Sequence, residues 1–479
     1  MLIEKDGETV FEEYAYPYSA DMPHTLFSVT KSIVSTAAGF AIDEGLFSLD
    51  SKLISLFPEY KACKGDEWEK LTVHSVLTMQ SGKEFSFTQD MTGNYVEMFM
   101  KAPFRKDKGF LYSNNDAHIV AALVQKFSGE NLVDYLMPRL FEPLGIERPN
   151  WETNSIGECI GGTGAYLKLR DLVKIMRCYA DGGRYDGKQV IPEWWTKEAT
   201  KKQVDLPDNE NEDGYGYLFW LHNGVFSMNG MYGQQISYFP KYNAIVGIFN
   251  CVVNDKPNNR LLKTVLTKAF EEEASEEWDK KLAEYLQNRE EKPRKCTDIP
   301  EVPTDKTFYI TPFSDFVAKL MFPASLIPRS LTSSFAVRPK QNLNRVSFSL
   351  SENIFTVKWH EENDEVIIKC GLDGNPRMSE CEIKGYKYKI WAHAYSENGK
   401  LKAVVKPINT LSTQFMEFDF SKNTVKIQIK DKPSFAEFIL YNVNKSSFVE
   451  KNQWLMPVIK PVVAAVLSTT EMPMKFKSR

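Results

Sequence analysis

The chain has 479 residues, 43% hydrophobic and 25% charged, enough for two domains with a large buried core in the first. A net charge of −4 gives no sign of a nucleic-acid footprint, which would need a basic face. Seven cysteines without a C-x-x-C pair argue against a disulfide framework or zinc site, and no apolar run reaches the ~18 residues of a transmembrane helix.

The chain opens Met1-Leu2-Ile3-Glu4-Lys5, with no basic segment leading into an apolar one, so a cytoplasmic location is expected. Residues 2–5 and 9–14 flank an Asp6-Gly7 turn and read as a hairpin. A loop with Pro17 and Pro23 follows. Ile33, Val34, Ala37, Ala38 and Ala41 then recur at helical spacing, so a helix opens at Ser28 and stops at Gly45. Further helices are expected over 72–79, 115–127, 132–141 and 171–180, and strands over 215–221, 234–239 and 244–251, the last two joined through Lys241-Tyr242-Asn243. Strands at both ends with helices between predict an α/β domain whose sheet joins early and late segments.

From Asn258 to Arg294 the chain is highly charged and reads as a solvated helix leading to a linker. Short strand-like runs at 346–350, 354–359, 365–370, 386–393, 401–407, 415–420, 424–429 and 436–441 predict an antiparallel barrel or sandwich. The stretch 454–467, interrupted by Pro457, Lys460 and Pro461, reads as a docked tail. The expected division is a hydrolase-sized domain over 1–272, a charged linker over 273–306, a β-rich domain over 307–450 and a tail over 451–479.

Three motifs carry chemistry. Ser28-Val29-Thr30-Lys31 puts a hydroxyl and an amine on one helix face. Desolvation disfavours the ammonium of a buried lysine, and a neutral lysine can take the serine proton. The plain structural reading is a capping serine and a surface lysine, but no other serine here has a lysine three residues on. In Tyr112-Ser113-Asn114, a tyrosine beside a cationic lysine would have its phenolate favoured and could shuttle a proton. Asn114 can donate to a substrate carbonyl and accept from Lys31, or simply cap the next helix. In Gly230-Met231-Tyr232-Gly233-Gln234, glycines let a backbone approach a ligand, and the N–H of Gln234 could face that of Ser28 as an oxyanion hole. The plain alternative is a Gly-rich loop before a strand. There is no G-x-S-x-G elbow, phosphate loop or G-x-G-x-x-G. Gly161-Gly162-Thr163-Gly164 lacks the flanking strand and helix of a phosphate loop. His360-Glu361-Glu362 lacks the second histidine of a zinc site, so no metal or other cofactor is expected.

Together and in this order, the motifs resemble class C β-lactamases and penicillin-binding-protein-like enzymes with their esterase and amidase relatives. The resemblance extends to Asp43-Glu44-Gly45-Leu46, Thr72-Val73-His74-Ser75-Val76-Leu77-Thr78-Met79-Gln80-Ser81-Gly82, Leu140-Phe141-Glu142-Pro143-Leu144-Gly145 and Gly182-Gly183-Arg184-Tyr185-Asp186-Gly187. Gly-x-x-Gly-Gln and Gly214-Tyr215-Gly216-Tyr217-Leu218-Phe219-Trp220 are similar to the nylon-oligomer (6-aminohexanoate-dimer) hydrolase branch.

The resemblance implies a β-lactamase-like α/β fold, with an antiparallel sheet flanked by helices and an all-helical region. It implies an acyl-enzyme on Ser28, Lys31 and Tyr112 as base and proton shuttle, Asn114 as a substrate contact, Gly233 and Gln234 at the oxyanion hole, and Met231 and Tyr232 beside a substrate pocket. The expected partner is a small ester or amide, with no nucleic acid and no membrane span. Met231 stands where β-lactamases usually carry lysine, which favours a neutral substrate over a β-lactam. The family usually also has a helix and strand residues ahead of the first hairpin, which bears on stability. The alternatives are a β-lactamase or D-amino-acid peptidase, and a catalytically silent binding scaffold.

Overall fold

The computed structural model describes all residues except 61–62, 64, 84–93, 107–108, 155, 207–211, 254–260, 274, 289–292, 322–342, 362–363, 384–385, 409, 411–412, 422, 435–456, 458–460, 462–472 and 479. The first hairpin forms as its turn residues require. Leu2–Lys5 and Glu8–Glu12 pair about Asp6 and Gly7, both at positive φ (54° and 85°). Leu2–Lys5 also pairs antiparallel with Ala244–Ile248, Leu2 opposite Gly247. The eight-stranded sheet then continues through Gln234–Phe239, Val225–Gly230, Trp220–His222, Gly214–Tyr215 and Val204–Asp205. Early and late segments do share one sheet.

The expected strand over 215–221 is instead two short strands. Leu218 turns between them at φ 62°. Its N–H reaches the carbonyl of Leu77 (3.2 Å), and its own carbonyl accepts from Ser32 Oγ (2.7 Å). The break is where the sheet docks on the helices, a demand that local sequence pattern does not reveal.

Thr30–Asp43 is buried along nearly its whole length, because its small residues let Asn114–Ser128 pack closely against it. Ser113 caps the second helix, accepting from the N–H groups of Asn115 (3.1 Å) and Asp116 (3.2 Å). The cap is therefore Ser113 rather than Asn114. Leu169–Ala180 lies on the sheet and, with both helices, closes one continuous core.

Ten strands form a second sheet, and nine of them close into a barrel where Gly371 bridges to His393. The expected strands appear as Leu343–Ser351, Ile354–Glu361, Asp364–Gly371, Tyr386–Glu397, Lys400–Pro407, Thr413–Ser421 and Thr424–Lys432. Their inward positions, among them Phe355, Trp359 and Phe418, fill the interior. Thr307–Ile310, Arg377–Ile383 and Met474–Ser478 complete the sheet without having been expected. Residues 474–478 correct the reading of 451–479 as a tail. They pair with Thr307–Ile310 on one side and Thr424–Lys432 on the other. The expected strand 436–441 falls outside the described residues, as does nearly all of 454–467.

Glu276–Asn288 buries no residue, as its charge predicts. Among the described residues no helix is long and apolar enough to cross a membrane. Among the described residues no cysteine forms a disulfide.

Gly39 on the helix Thr30–Asp43 shows how tightly this core is set. A Cβ there would lie 2.4 Å from Cγ of Trp195, whose ring is fully buried and stacked on Tyr217 at 5.3 Å. Gly39→Ala gains up to ~1 kcal/mol of helix propensity but overpacks a rigid ring at a cost of ~1–3 kcal/mol. The expected outcome is a lowered urea midpoint with an unchanged m-value; a raised midpoint would contradict this packing.

Candidate active site

Ser28 lies in a short 3-10 turn, Phe27–Val29, that feeds directly into the helix Thr30–Asp43. The residue before it, Phe27, is held at φ 49°, which costs an aromatic residue ~1–3 kcal/mol. Packing holds it there. Phe27 is buried and its ring meets Tyr232 edge-on at 5.4 Å. The N–H of Leu26 is fixed to the carbonyl of Ala165 at 2.9 Å. The turn leaves Ser28 partly exposed while Lys31, one helical turn on, is only 1% exposed.

The Lys31 amine is surrounded by oxygens. Nζ lies 2.8 Å from Ser28 Oγ, 2.7 Å from Asn114 Oδ1 and 2.6 Å from the carbonyl of Gly162. Burial pushes its pKa well below that of an ordinary lysine. A neutral amine has two N–H donors and one lone pair. The Gly162 carbonyl can only accept, and Asn114 presents its oxygen, so both N–H groups are taken. The lone pair is left for the hydroxyl proton of Ser28. Gly162 can come this close because it has no side chain. A Cβ would sit 2.8 Å from both Cβ and O of Asn114.

Tyr112 is held from behind. The Leu111 N–H donates to the carbonyl of Met79 (2.9 Å), and the Ser113 N–H to its sulfur (3.3 Å), with Met79 itself at φ 58°. The phenol shares a hydrogen bond with Ser28, and its ring lies 4.8 Å from Lys31 Nζ. Tyr215 and Trp220 flank it, Trp220 at 5.2 Å, and Phe110 packs on both of these rings. Burial raises the Tyr112 pKa above the ordinary phenol value, and the Ser28 hydrogen bond only partly offsets this. The phenolate expected from a cationic neighbour is thus not favoured in the resting site, because desolvation acts against both charged forms. Asp116, two residues beyond Asn114, is also buried. Desolvation pushes its carboxyl up to about 7 while Ser81 Oγ donates to it at 2.9 Å.

Gly230 ends its strand against the nucleophile turn; a Cβ there would lie 2.5 Å from the carbonyl of Leu26. Gln234 opens the next strand and is fully buried. Its side-chain amide donates to the carbonyls of Asn250 (2.6 Å) and Met231 (3.2 Å), tying the loop to the neighbouring strand's end. Tyr232 and Gly233 lie at φ 63° and 88° in this loop. Met231 is 40% exposed, whereas Tyr232 is 4% exposed and packs on Phe27, so it is a wall behind the nucleophile rather than an open pocket surface.

The structure thus brings Ser28, Lys31, Tyr112 and Asn114 together and sets the turn at Gly230 beside them. Sequence reasoning missed Gly162. Its signal was the Gly161-Gly162-Thr163-Gly164 run, which serves close backbone approach rather than phosphate binding. It also missed Trp220 beside Tyr112 and Phe110 against Trp220, for which the sequence offers only an aromatic-rich stretch. His360 is on a barrel strand with Nε2 3.2 Å from Glu365, and among the described residues no cluster of potential metal ligands occurs.

Comparisons with known proteins bear on residues 1–274, which match the Beta-lactamase family. A 6-aminohexanoate-dimer hydrolase of Paenarthrobacter ureafaciens is 23% identical over 279 residues, 51% of this chain and 70% of the relative. A D-amino acid amidase structure from Ochrobactrum anthropi SV3 covers 56% of this chain and 93% of its own, at 17% identity and a TM-score of 0.44. An octameric penicillin-binding protein homologue from Pyrococcus abyssi covers 89% of this chain and 93% of its own, at 14% identity and a TM-score of 0.45. With residues 1–274 of its 479 matching that family, the chain belongs to the Beta-lactamase family of hydrolases.

Proposed function

We propose that this chain hydrolyses small neutral esters or amides through an acyl-enzyme on Ser28. The observation that carries the proposal is the buried Lys31 amine, with Nζ 2.8 Å from Ser28 Oγ and within 2.7 Å of two carbonyl oxygens that can only accept from it. Ser28 Oγ attacks the substrate carbonyl as its proton passes to Lys31 Nζ. The C–O or C–N bond breaks, and the Tyr112 hydroxyl protonates the departing group. The Lys31 ammonium then returns its proton to Tyr112. Water attacks the acyl-enzyme with the same two groups taking its proton, and Ser28 leaves protonated. The backbone N–H groups of Ser28 and Gln234 are the proposed donors to the developing oxyanion, and Asn114 holds the substrate carbonyl. The chemistry so written calls on no cofactor, and a cytoplasmic location is part of the same proposal.

Neutrality of the substrate is supported by Met231, exposed where a lysine would bind a carboxylate. The aromatic group of Phe110, Tyr112 and Trp220 favours an apolar acyl or leaving group. The name of the 6-aminohexanoate-dimer hydrolase relative is in keeping with an amide substrate.

A fluorophosphonate is expected to give a single adduct on Ser28 by intact mass and peptide mapping. Lys31→Ala should slow labelling by ~10²–10⁴. Because the base acts only when neutral, the wild-type rate should rise with pH and level off well below an ordinary lysine's titration range. No adduct in folded protein would overturn the proposal and favour a binding scaffold.

Tyr112→Phe keeps the ring on Trp220, so the thermal midpoint should hold while ester turnover falls ~10²–10⁴. Turnover within a few-fold of wild type would remove Tyr112 from the proton path.

p-Nitrophenyl esters should be cleaved faster than nitrocefin, and Met231→Lys should narrow the gap. Faster nitrocefin cleavage by the wild type would point to a β-lactamase instead.

A further inference from the structure

Behind the lysine lies a buried histidine that the proton path above does not use. His118 is on the helix Asn114–Ser128, one turn beyond Asn114, and is 1% exposed. Its Nδ1 accepts the N–H of Gly161 at 3.2 Å in the protein interior. The next residue along, Gly162, presents its carbonyl to Lys31 Nζ at 2.6 Å. On the other side of the ring, Nε2 lies 3.5 Å from Glu158 Oε2, and that oxygen also accepts from Asn154 Nδ2 at 2.8 Å. Tyr95 covers the ring at 5.0 Å.

This arrangement fixes where the imidazole proton resides. An Nδ1 that accepts from a backbone N–H carries no hydrogen, so the proton is on Nε2, facing the carboxylate. Burial acts to raise the Glu158 pKa, yet side-chain hydrogen bonds from His118 and Asn154 help hold the carboxyl below the usual range. The glycines make the coupling stiff. A Cβ on Gly161 would lie 2.5 Å from the carbonyl of Ala117 and 2.8 Å from Cα of His118, so the loop is pressed onto the helix with no slack. Movement of Gly161 off His118 would carry the Gly162 carbonyl away from the lysine.

Resting on the acyl-enzyme function proposed above, we propose that His118 is a positioning residue for Lys31. It accepts the Gly161 N–H, which aims the Gly162 carbonyl at the lysine and keeps the amine's lone pair on Ser28. Glu158 secures the tautomer that makes this possible.

Two substitutions of similar polarity separate positioning from space-filling. In His118→Asn the side-chain oxygen takes the place of Nδ1 and can accept from Gly161. In His118→Gln it reaches towards the place of Nε2, leaving the Gly161 N–H without its acceptor. With full-length protein and a fluorophosphonate probe, His118→Gln should lower the maximal labelling rate by ~10- to 100-fold with little change in half-saturating probe concentration, as a misplaced catalytic group does. His118→Asn should recover to within a few-fold of wild type. Glu158→Gln, at a partly exposed position that folding tolerates, should give a smaller fall of the same kind.

If the wild type labels at Ser28 and His118→Gln labels as fast, or if the asparagine and glutamine variants fall equally, positioning by His118 is overturned and the hydrolase function stands. If the wild type does not label, both fall together.

Discussion

A primary amine taken out of water is the constraint around which this hydrolase domain is assembled. Lys31 needs acceptors that cannot themselves donate, and it finds them far apart in sequence, at Asn114 and Gly162. Each must arrive at hydrogen-bond distance, so the elements carrying them must pack without slack. The small residues of the helix Thr30–Asp43, the glycine pair at 161–162 and the serine cap at 113 all follow from that need. An unpaired buried ammonium would cost several kcal/mol. Burial shifts the balance towards the neutral amine, which is also the state in which it can take a proton.

The strained residues tell the same story from the backbone. Phe27, Met79, Leu218 and Tyr232 all adopt positive φ, and each lies beside a motif that builds the site. Phe27 precedes the nucleophile and Met79 holds the tyrosine segment. Leu218 docks the sheet on the helix of the lysine, and Tyr232 closes the loop against Phe27. Such conformations persist only where surrounding packing over-determines them.

Much of this was legible in sequence because the chemistry is written in short motifs. Serine and lysine three residues apart on an apolar helix, and a tyrosine just before another, name the candidate groups without a structure. The helices and barrel strands followed from periodicity for the same local reason. What stayed hidden depends on distant partners. Gly162 is a carbonyl and not a side chain, so nothing in its identity marks it as a lysine ligand. The phenol of Tyr112 read as a candidate phenolate because sequence shows the neighbouring cation but not the burial that neutralises it. The short strands at 307–310 and 474–478 need each other across more than the whole barrel, and neither has enough pattern to announce itself.

The placement of the first strand has a consequence for biosynthesis. Leu2–Lys5 is synthesised some 240 residues ahead of its inner partner Ala244–Ile248. At ~5–20 residues per second the hairpin waits on the order of tens of seconds with one edge open. An open edge invites pairing with another chain unless it is guarded. Glu4, Lys5, Glu8 and Glu12 place charges along this hairpin, between the buried Leu2 and Ile3 and the turn and beyond it. Charges so placed disfavour pairing with another chain until the strand that completes the sheet arrives.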